Sequence, residues 1–184
     1  MSHEVALANL WLKLEEVSLQ EKYDLNFLND TYEINITNKT VLSYSCNSEP
    51  PEEISILLLG YLIKKLKNEI PKPENELITF NEIPDGKFLY ERFKERAVKP
   101  LLRKYGNNPE FIFESLNRFK AKKSDISKYA VEIQVFDEVK IIFVLYPEDE
   151  EFSSDGNFLF DRSISKIFTT EEIEVLCIEI AKLL

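Results

Sequence analysis

Residues 129–146 limit the fold of this chain more than any other stretch. Val131, Ile133 and Val135 alternate with Glu132 and Gln134, the pattern of a strand with one face in a core, and Asp137-Glu138 marks a tight turn. Positions 141–146 are then apolar without interruption, which suits a central strand covered on both faces. A two-residue turn leaves no room for the crossover of about a dozen residues that parallel neighbours require, so the two strands pair as an antiparallel hairpin. The remaining segments predict the elements around it. Tyr32, Ile34 and Ile36 alternate within a stretch, 24–44, that reads as a meander of three short strands, and 158–160 reads as another strand.

Helical periods flank these strands. Leu7, Leu10, Trp11 and Leu14 form one stripe, and 54–63 is apolar on almost every face, the mark of a central buried helix opened by Pro50-Pro51-Glu52-Glu53. Ile173, Leu176, Cys177, Ile180 and Leu184 form the inward stripe of a last helix, whose start is signalled by Thr169 and Glu172 as a capping box. The expectation is an α+β fold, a small antiparallel sheet of meander plus central hairpin flanked by about five helices. The 184 residues are read as a single domain, 1–184.

Leu89, Phe93, Ala97, Leu101 and Tyr105 recur every fourth residue, leaving Arg92, Arg96, Lys99 and Arg103 for solvent. Pro100 removes an amide donor from that helix and predicts a kink, or two helices meeting near Lys99. Gly106 is expected as a left-handed cap. Asn108 and Pro109 open the next helix, with Ile112, Phe113, Leu116 and Phe119 inward, and 121–127 is expected to be an exposed, Lys-rich loop.

Composition removes several chemistries. Four glycines, all far apart, supply neither a dinucleotide-binding turn nor a Walker loop, and a lone His3 supplies no Ser-His-Asp or Cys-His engine. Cys46 and Cys177 have no neighbouring ligand, so both are read as core thiols and no metal site or resident cofactor is expected. The opening Met1-Ser2-His3-Glu4 lacks signal-peptide character, and the longest apolar run is far short of the roughly 20 residues that span a bilayer. A cytoplasmic protein without a membrane span is expected.

Charge supplies the functional lead. Residues 87–123 hold eleven Lys and Arg against four acidic residues, within a chain of net charge −10. Such asymmetry marks a place where an anionic small molecule, an acidic protein partner or an acidic part of the same chain could sit. Tyr90, Phe93, Tyr105 and Phe119 interleave with the cations as in a nucleic-acid surface, but these aromatics fall on the core stripe and the net charge repels a polyanion, so nucleic acid is set aside. The loop 147–156 approaches a calcium-binding spacing through Glu151, Ser153, Asp155 and Gly156, yet Arg162 stands where the closing Glu belongs. Asp161 and Arg162 follow a short strand and can serve a cleft. In a bland reading Asp161 ties down a turn and Arg162 meets the acidic loop.

Ile78-Thr79-Phe80-Asn81-Glu82-Ile83-Pro84-Asp85-Gly86, Arg96-Ala97-Val98-Lys99-Pro100-Leu101-Leu102 with Gly106, Glu150-Glu151-Phe152 and Leu159-Phe160-Asp161-Arg162-Ser163, in that order, resemble the family called domain of unknown function 3786. The resemblance implies a prokaryotic, largely anaerobic group without an assigned reaction. Some of its members carry a cysteine-rich domain similar to the cluster domain of corrinoid iron–sulfur proteins, which implies a link to corrinoid or one-carbon metabolism. Asn81 and Asp85 depart from the pattern, standing where a basic residue and a second glycine are expected. The leading expectation is a non-catalytic binding or accessory domain in which Arg92, Arg96, Lys99, Arg103, Asp161 and Arg162 engage an anionic cofactor or acidic protein. The alternative is an enzyme of unknown reaction using Asp161, Glu150 or Glu151 as acid or base beside Arg96 and Arg162.

Overall fold

The computed structural model describes residues 2–118 and 120–184, with the side chains of 117 and 118 left out of the description. The chain divides into two compact units, Met1–Pro71 and Lys72–Leu184. The division falls inside the proline-rich stretch around Pro71 and Pro73. The fold is α+β, with six α-helices and two antiparallel sheets among the described residues. The meander and the hairpin therefore belong to different sheets, a correction to the single sheet expected. Period alone shows that strands exist and not which strand each one joins.

In the first unit, α1 (His3–Val17) is followed by β1 (Lys22–Phe27), β2 (Asp30–Asn35), β3 (Thr40–Ser43) and α2 (Glu52–Leu66). Leu25 lies opposite Tyr32, and Ile34 lies opposite Val41, so the alternating residues gather on one face, where Leu25, Phe27, Ile34 and Val41 are buried. Trp11 and Leu14 are the buried residues of α1, which packs on α2. Cys46 corrects the sequence reading. It is exposed, and its thiol lies 3.1 Å from the Ser43 hydroxyl and 3.0 Å from that of Ser48. Those hydroxyls hold its pKa below the usual thiol range. Cys177 is buried as expected, and desolvation pushes its thiol up.

The second unit is organised by a five-stranded sheet in the order β4-β8-β7-β6-β5. Its strands are β4 (Leu77–Thr79), β5 (Ala121–Lys123), β6 (Ala130–Phe136), β7 (Val139–Tyr146) and β8 (Asp155–Asp161). The expected hairpin is β6–β7, with Val131 opposite Phe143 and Ile133 opposite Ile141, and β7 is the middle strand. Its five residues Ile141, Ile142, Phe143, Val144 and Leu145 are all buried, so both faces of β7 are covered, as the unbroken apolar run requires. The register slips between Gln134 and Phe136, where the Gln134 amide donates to the carbonyls of Phe136 and Asp137 and holds the bulge. Residues 121–123, expected in a loop, extend the sheet by pairing with Val131, Glu132 and Ile133.

On one face of this sheet lie α3 (Gly86–Phe93), a π-helical turn (Lys94–Val98), α4 (Lys99–Tyr105) and α6 (Thr170–Leu183), while the short α5 (Ile164–Ile167) follows β8. The stacked rings of Phe80 and Phe93 and the edge contact of Phe93 on Phe158 join this layer to β8. Pro100 has no N–H for the Arg96 carbonyl, and the helix widens just before it. The Lys99 amide bonds the Lys94 carbonyl, and α4 restarts with Pro100 in its first turn. The expected junction near Lys99 is thus a π turn. Gly106 corrects another expectation. It is right-handed at φ −54°, and a Cβ there would lie 2.6 Å from Ser154 Oγ, so close approach of the acidic loop is what the glycine permits. The segment Pro109–Arg118 is a 3-10 helix that buries Ile112, while Phe119, expected on the same face, lies outside the described residues.

The capping box of α6 forms as read. The Thr169 hydroxyl accepts from the Glu172 amide, and the Glu172 carboxylate accepts from the Thr169 amide. Thr169→Ala should therefore cost about 1 kcal/mol. Urea denaturation measures this, and an unchanged midpoint would remove the cap from the account.

Candidate functional site

The inward stripe Phe93, Ala97, Leu101 and Tyr105 is buried, which turns Arg92, Arg96, Lys99 and Arg103 outward along the successive helices. What fixes two of them is a residue that sequence reasoning missed. Glu174 on α6 is 2% exposed, and its carboxylate takes Arg92 bidentately, through Nε at 3.1 Å and through Nη2, while Arg96 Nη1 lies 3.4 Å away. A buried carboxylate without partners would cost several kcal/mol, so this pairing is a condition of the helix packing there. Donation to the Glu174 carboxylate raises the Arg92 pKa further above its ordinary value. The Arg92 and Arg96 side chains remain 48% and 57% exposed, so both heads face solvent while one side of each is anchored. The available signal was an acid on the edge of the buried stripe of α6, between Thr170 and Cys177.

Lys99 pairs with Glu95 one turn earlier, and Lys94 reaches Asp155 at 3.1 Å. Arg103 is exposed and makes no ion pair among the described residues. The expected opposition of acidic loop and basic helix is present. A cleft of about 650 Å³ separates them and is lined by Lys94, Lys99, Leu102, Phe152, Ser154 and Asp155. Asp149 Oδ1 in that loop accepts from the amides of Glu151 and Phe152, so a carboxylate of the calcium-like run serves its own backbone turn. Among the described residues no three His, Cys, Asp or Glu side chains come together as a metal site.

Asp161 and Arg162 have different partners from the basic face. Asp161 Oδ1 accepts from the Glu74 amide, the Ser163 amide and the Ser163 hydroxyl, and Oδ2 accepts from the Asn75 amide. Partial burial pushes this carboxyl up, but those donors outweigh it and hold its pKa below the ordinary aspartate value. Asp161 therefore ties a turn, as the bland reading has it. Arg162 does not meet the acidic loop. It forms a bidentate pair with Glu76 at 2.6 Å on both oxygens, because antiparallel pairing of β4 with β8 sets Glu76 beside it.

The six candidate residues thus form two groups, the four cations of the helical face, of which Glu174 holds Arg92 and Arg96, and the pair Asp161 and Arg162, held by residues 74–76 and Ser163. Among the described residues no hydrogen bond or ion pair joins Asp161 to Arg96 as an acid–base pair would require, and an aspartate kept ionised with four accepted bonds is a poor proton donor. The sign for stability follows from the lowered pKa. Asp161 contributes above its unfolded value near 3.8, and the contribution is lost as pH falls through the lower folded value. Asp161→Asn should cost about 1–3 kcal/mol at neutral pH, with the difference from wild type shrinking in acid. Denaturant titrations across pH test this, and a difference independent of pH would contradict it.

Among the described residues no helix is long and apolar enough to cross a membrane. The family model described as Domain of unknown function (DUF3786) matches residues 7–183, nearly the whole chain. No curated protein matches the chain. No solved structure matches it either.

Proposed function

We propose, for a chain that belongs to the DUF3786 family, that it is a non-catalytic binding module whose basic helical face docks on an acidic protein partner. The observation that carries this reading is Glu174, a buried carboxylate that holds Arg92 and Arg96 in place with their outer sides open. A long cationic side chain loses rotamer entropy when it binds, and anchoring reduces that loss before the partner arrives. From Arg92 to Arg103 the cations span about 16 Å of helix, at about 1.5 Å per residue. That length suits an extended acidic surface better than one small anion. Phe88, 88% exposed and one turn before Arg92, places an aromatic ring at the end of the stripe, where hot-spot residues of interfaces are often aromatic or Arg.

The domain company implied by the family resemblance makes iron–sulfur and corrinoid proteins of anaerobic one-carbon chemistry the first partners to test, in the cytoplasm. A photo-cross-linking residue in place of Phe88, in cells of the source organism, should yield one predominant adduct whose cross-linked segment is acidic. Lys99→Ala with Arg103→Ala should abolish the adduct at unchanged melting temperature. These two are the better pair to remove, because neither supports Glu174. A smear of adducts insensitive to this double substitution would count against the reading.

A further inference from the structure

The run 148–155, which leads from β7 into β8, carries five carboxylates and no cation. Asp155 is tied across to the basic side of the cleft, where Lys94 Nζ lies 3.1 Å from its Oδ1. Asp149 is used within the loop itself. Its Oδ1 accepts from the amides of Glu151 and Phe152, and its own amide donates to the Phe152 carbonyl, so 149–152 is a self-bonded turn. Glu148, Glu150 and Glu151 are exposed, and among the described residues their carboxylates enter no hydrogen bond or ion pair. Two contacts keep this turn beside the basic helices. Lys94 holds its far end through Asp155, and the missing Cβ of Gly106 admits Ser154 next to α4. Asp149 and Phe152 consequently line one wall of the cleft whose other wall is Lys94, Lys99 and Leu102.

From this juxtaposition we infer that the acidic turn is an autoinhibitory element, which competes with an acidic partner for the basic helical face and must be outbid by it. The inference rests on that face being the docking surface, and it adds what the surface selects. An acid tethered by a short loop acts at an effective concentration of about millimolar, so a free anion has to exceed it. An anionic segment approaching Lys99 and Arg103 also meets the charges of Glu148, Glu150 and Glu151 at the cleft, and like charges brought together across an interface oppose docking. Lys94 and Lys99 already pair with Asp155 and Glu95, so a weak anion gains little there. A partner that engages several cations at once overcomes both costs, whereas one with a single carboxylate does not. The turn thereby makes the face selective for densely acidic segments.

The test titrates the full chain into fluorescein-labelled octaglutamate and follows fluorescence anisotropy in about 0.15 M salt, where screening acts over about 8 Å. Glu148→Gln with Glu150→Gln and Glu151→Gln should tighten binding by about tenfold. All three positions are exposed, so the melting temperature should not change. Glu16→Gln with Glu21→Gln and Glu49→Gln removes the same charge from exposed positions of the first unit and should leave the affinity as in wild type. Adding Lys99→Ala and Arg103→Ala to the loop variant should abolish the gain. Equal, measurable affinity of wild type and loop variant would overturn the autoinhibitory role and leave the docking surface standing. An equal gain from the first-unit variant would overturn it in favour of net charge, and a gain that survives the loss of Lys99 and Arg103 would overturn it as well. Failure of both wild type and loop variant to bind would overturn the docking surface and the autoinhibition together.

Discussion

Replacing Phe143 with alanine should destabilise the protein by about 3–5 kcal/mol. Phe143 is fully buried in the middle strand of the larger sheet, opposite Val131 on one side and Phe158 on the other. Its ring lies 4.9 Å from that of Phe158 and covers Gly156, where an added Cβ would stand 2.8 Å from the ring edge. Hydrogen-bonded ladders on both sides hold β7 in place, so its neighbours cannot collapse into the void, and the cavity term adds to the lost burial. Tyr146, three residues along the same strand but 47% exposed, is the control, and its truncation should change stability within about 0.5 kcal/mol. Denaturant titration of both variants decides, and a loss under about 1 kcal/mol at Phe143 would sink its place at the centre of the sheet.

Gly86→Ala should cost about 3 kcal/mol or more. A Cβ at Gly86 would lie 1.8 Å from the Phe80 carbonyl oxygen and 2.9 Å from Ile83 Cγ1. The oxygen is backbone, and its turn (Phe80–Glu82) is held at its start by the reciprocal bonds of Thr79 and Glu82. Relief must therefore come from moving the start of α3, which also disturbs the Phe80–Phe93 stack on which that helix rests. Lowered thermal stability together with loss of the α3 contacts is expected. A variant as stable as wild type would show that the turn has room that the structure denies it.

Local signals were the legible part. Alternation followed by an unbroken apolar run specified β6 and β7, and Thr169 with Glu172 specified the start of α6, because each depends on residues a few positions apart. Partners distant in sequence were not legible. Glu174 meets Arg92 and Arg96 across about 80 positions, and nothing in the local pattern of α6 says which cation will cover it. Arg162 was assigned to the acidic loop on charge alone, whereas strand pairing delivers Glu76.

Glycine was the other blind spot. Gly106 was expected as a left-handed cap, yet neither it nor Gly86, which closes the turn after Ile83, has a positive φ, and both exist for close approach by Ser154 and Phe80. The left-handed position of that turn is Asp85, at φ 56°, which is where the family pattern leads one to expect a second glycine.

The basic face is the centre of the functional account, and its most direct test is the affinity of the purified protein for the partner captured at Phe88, measured by calorimetry at low and high salt. Exposed charges contribute little to stability but much to recognition when a partner excludes water from them. Lys99→Ala with Arg103→Ala should weaken binding by about tenfold or more at unchanged melting temperature, and wild-type affinity should fall as salt rises. Equal affinity of wild type and double variant, independent of salt, would contradict the account.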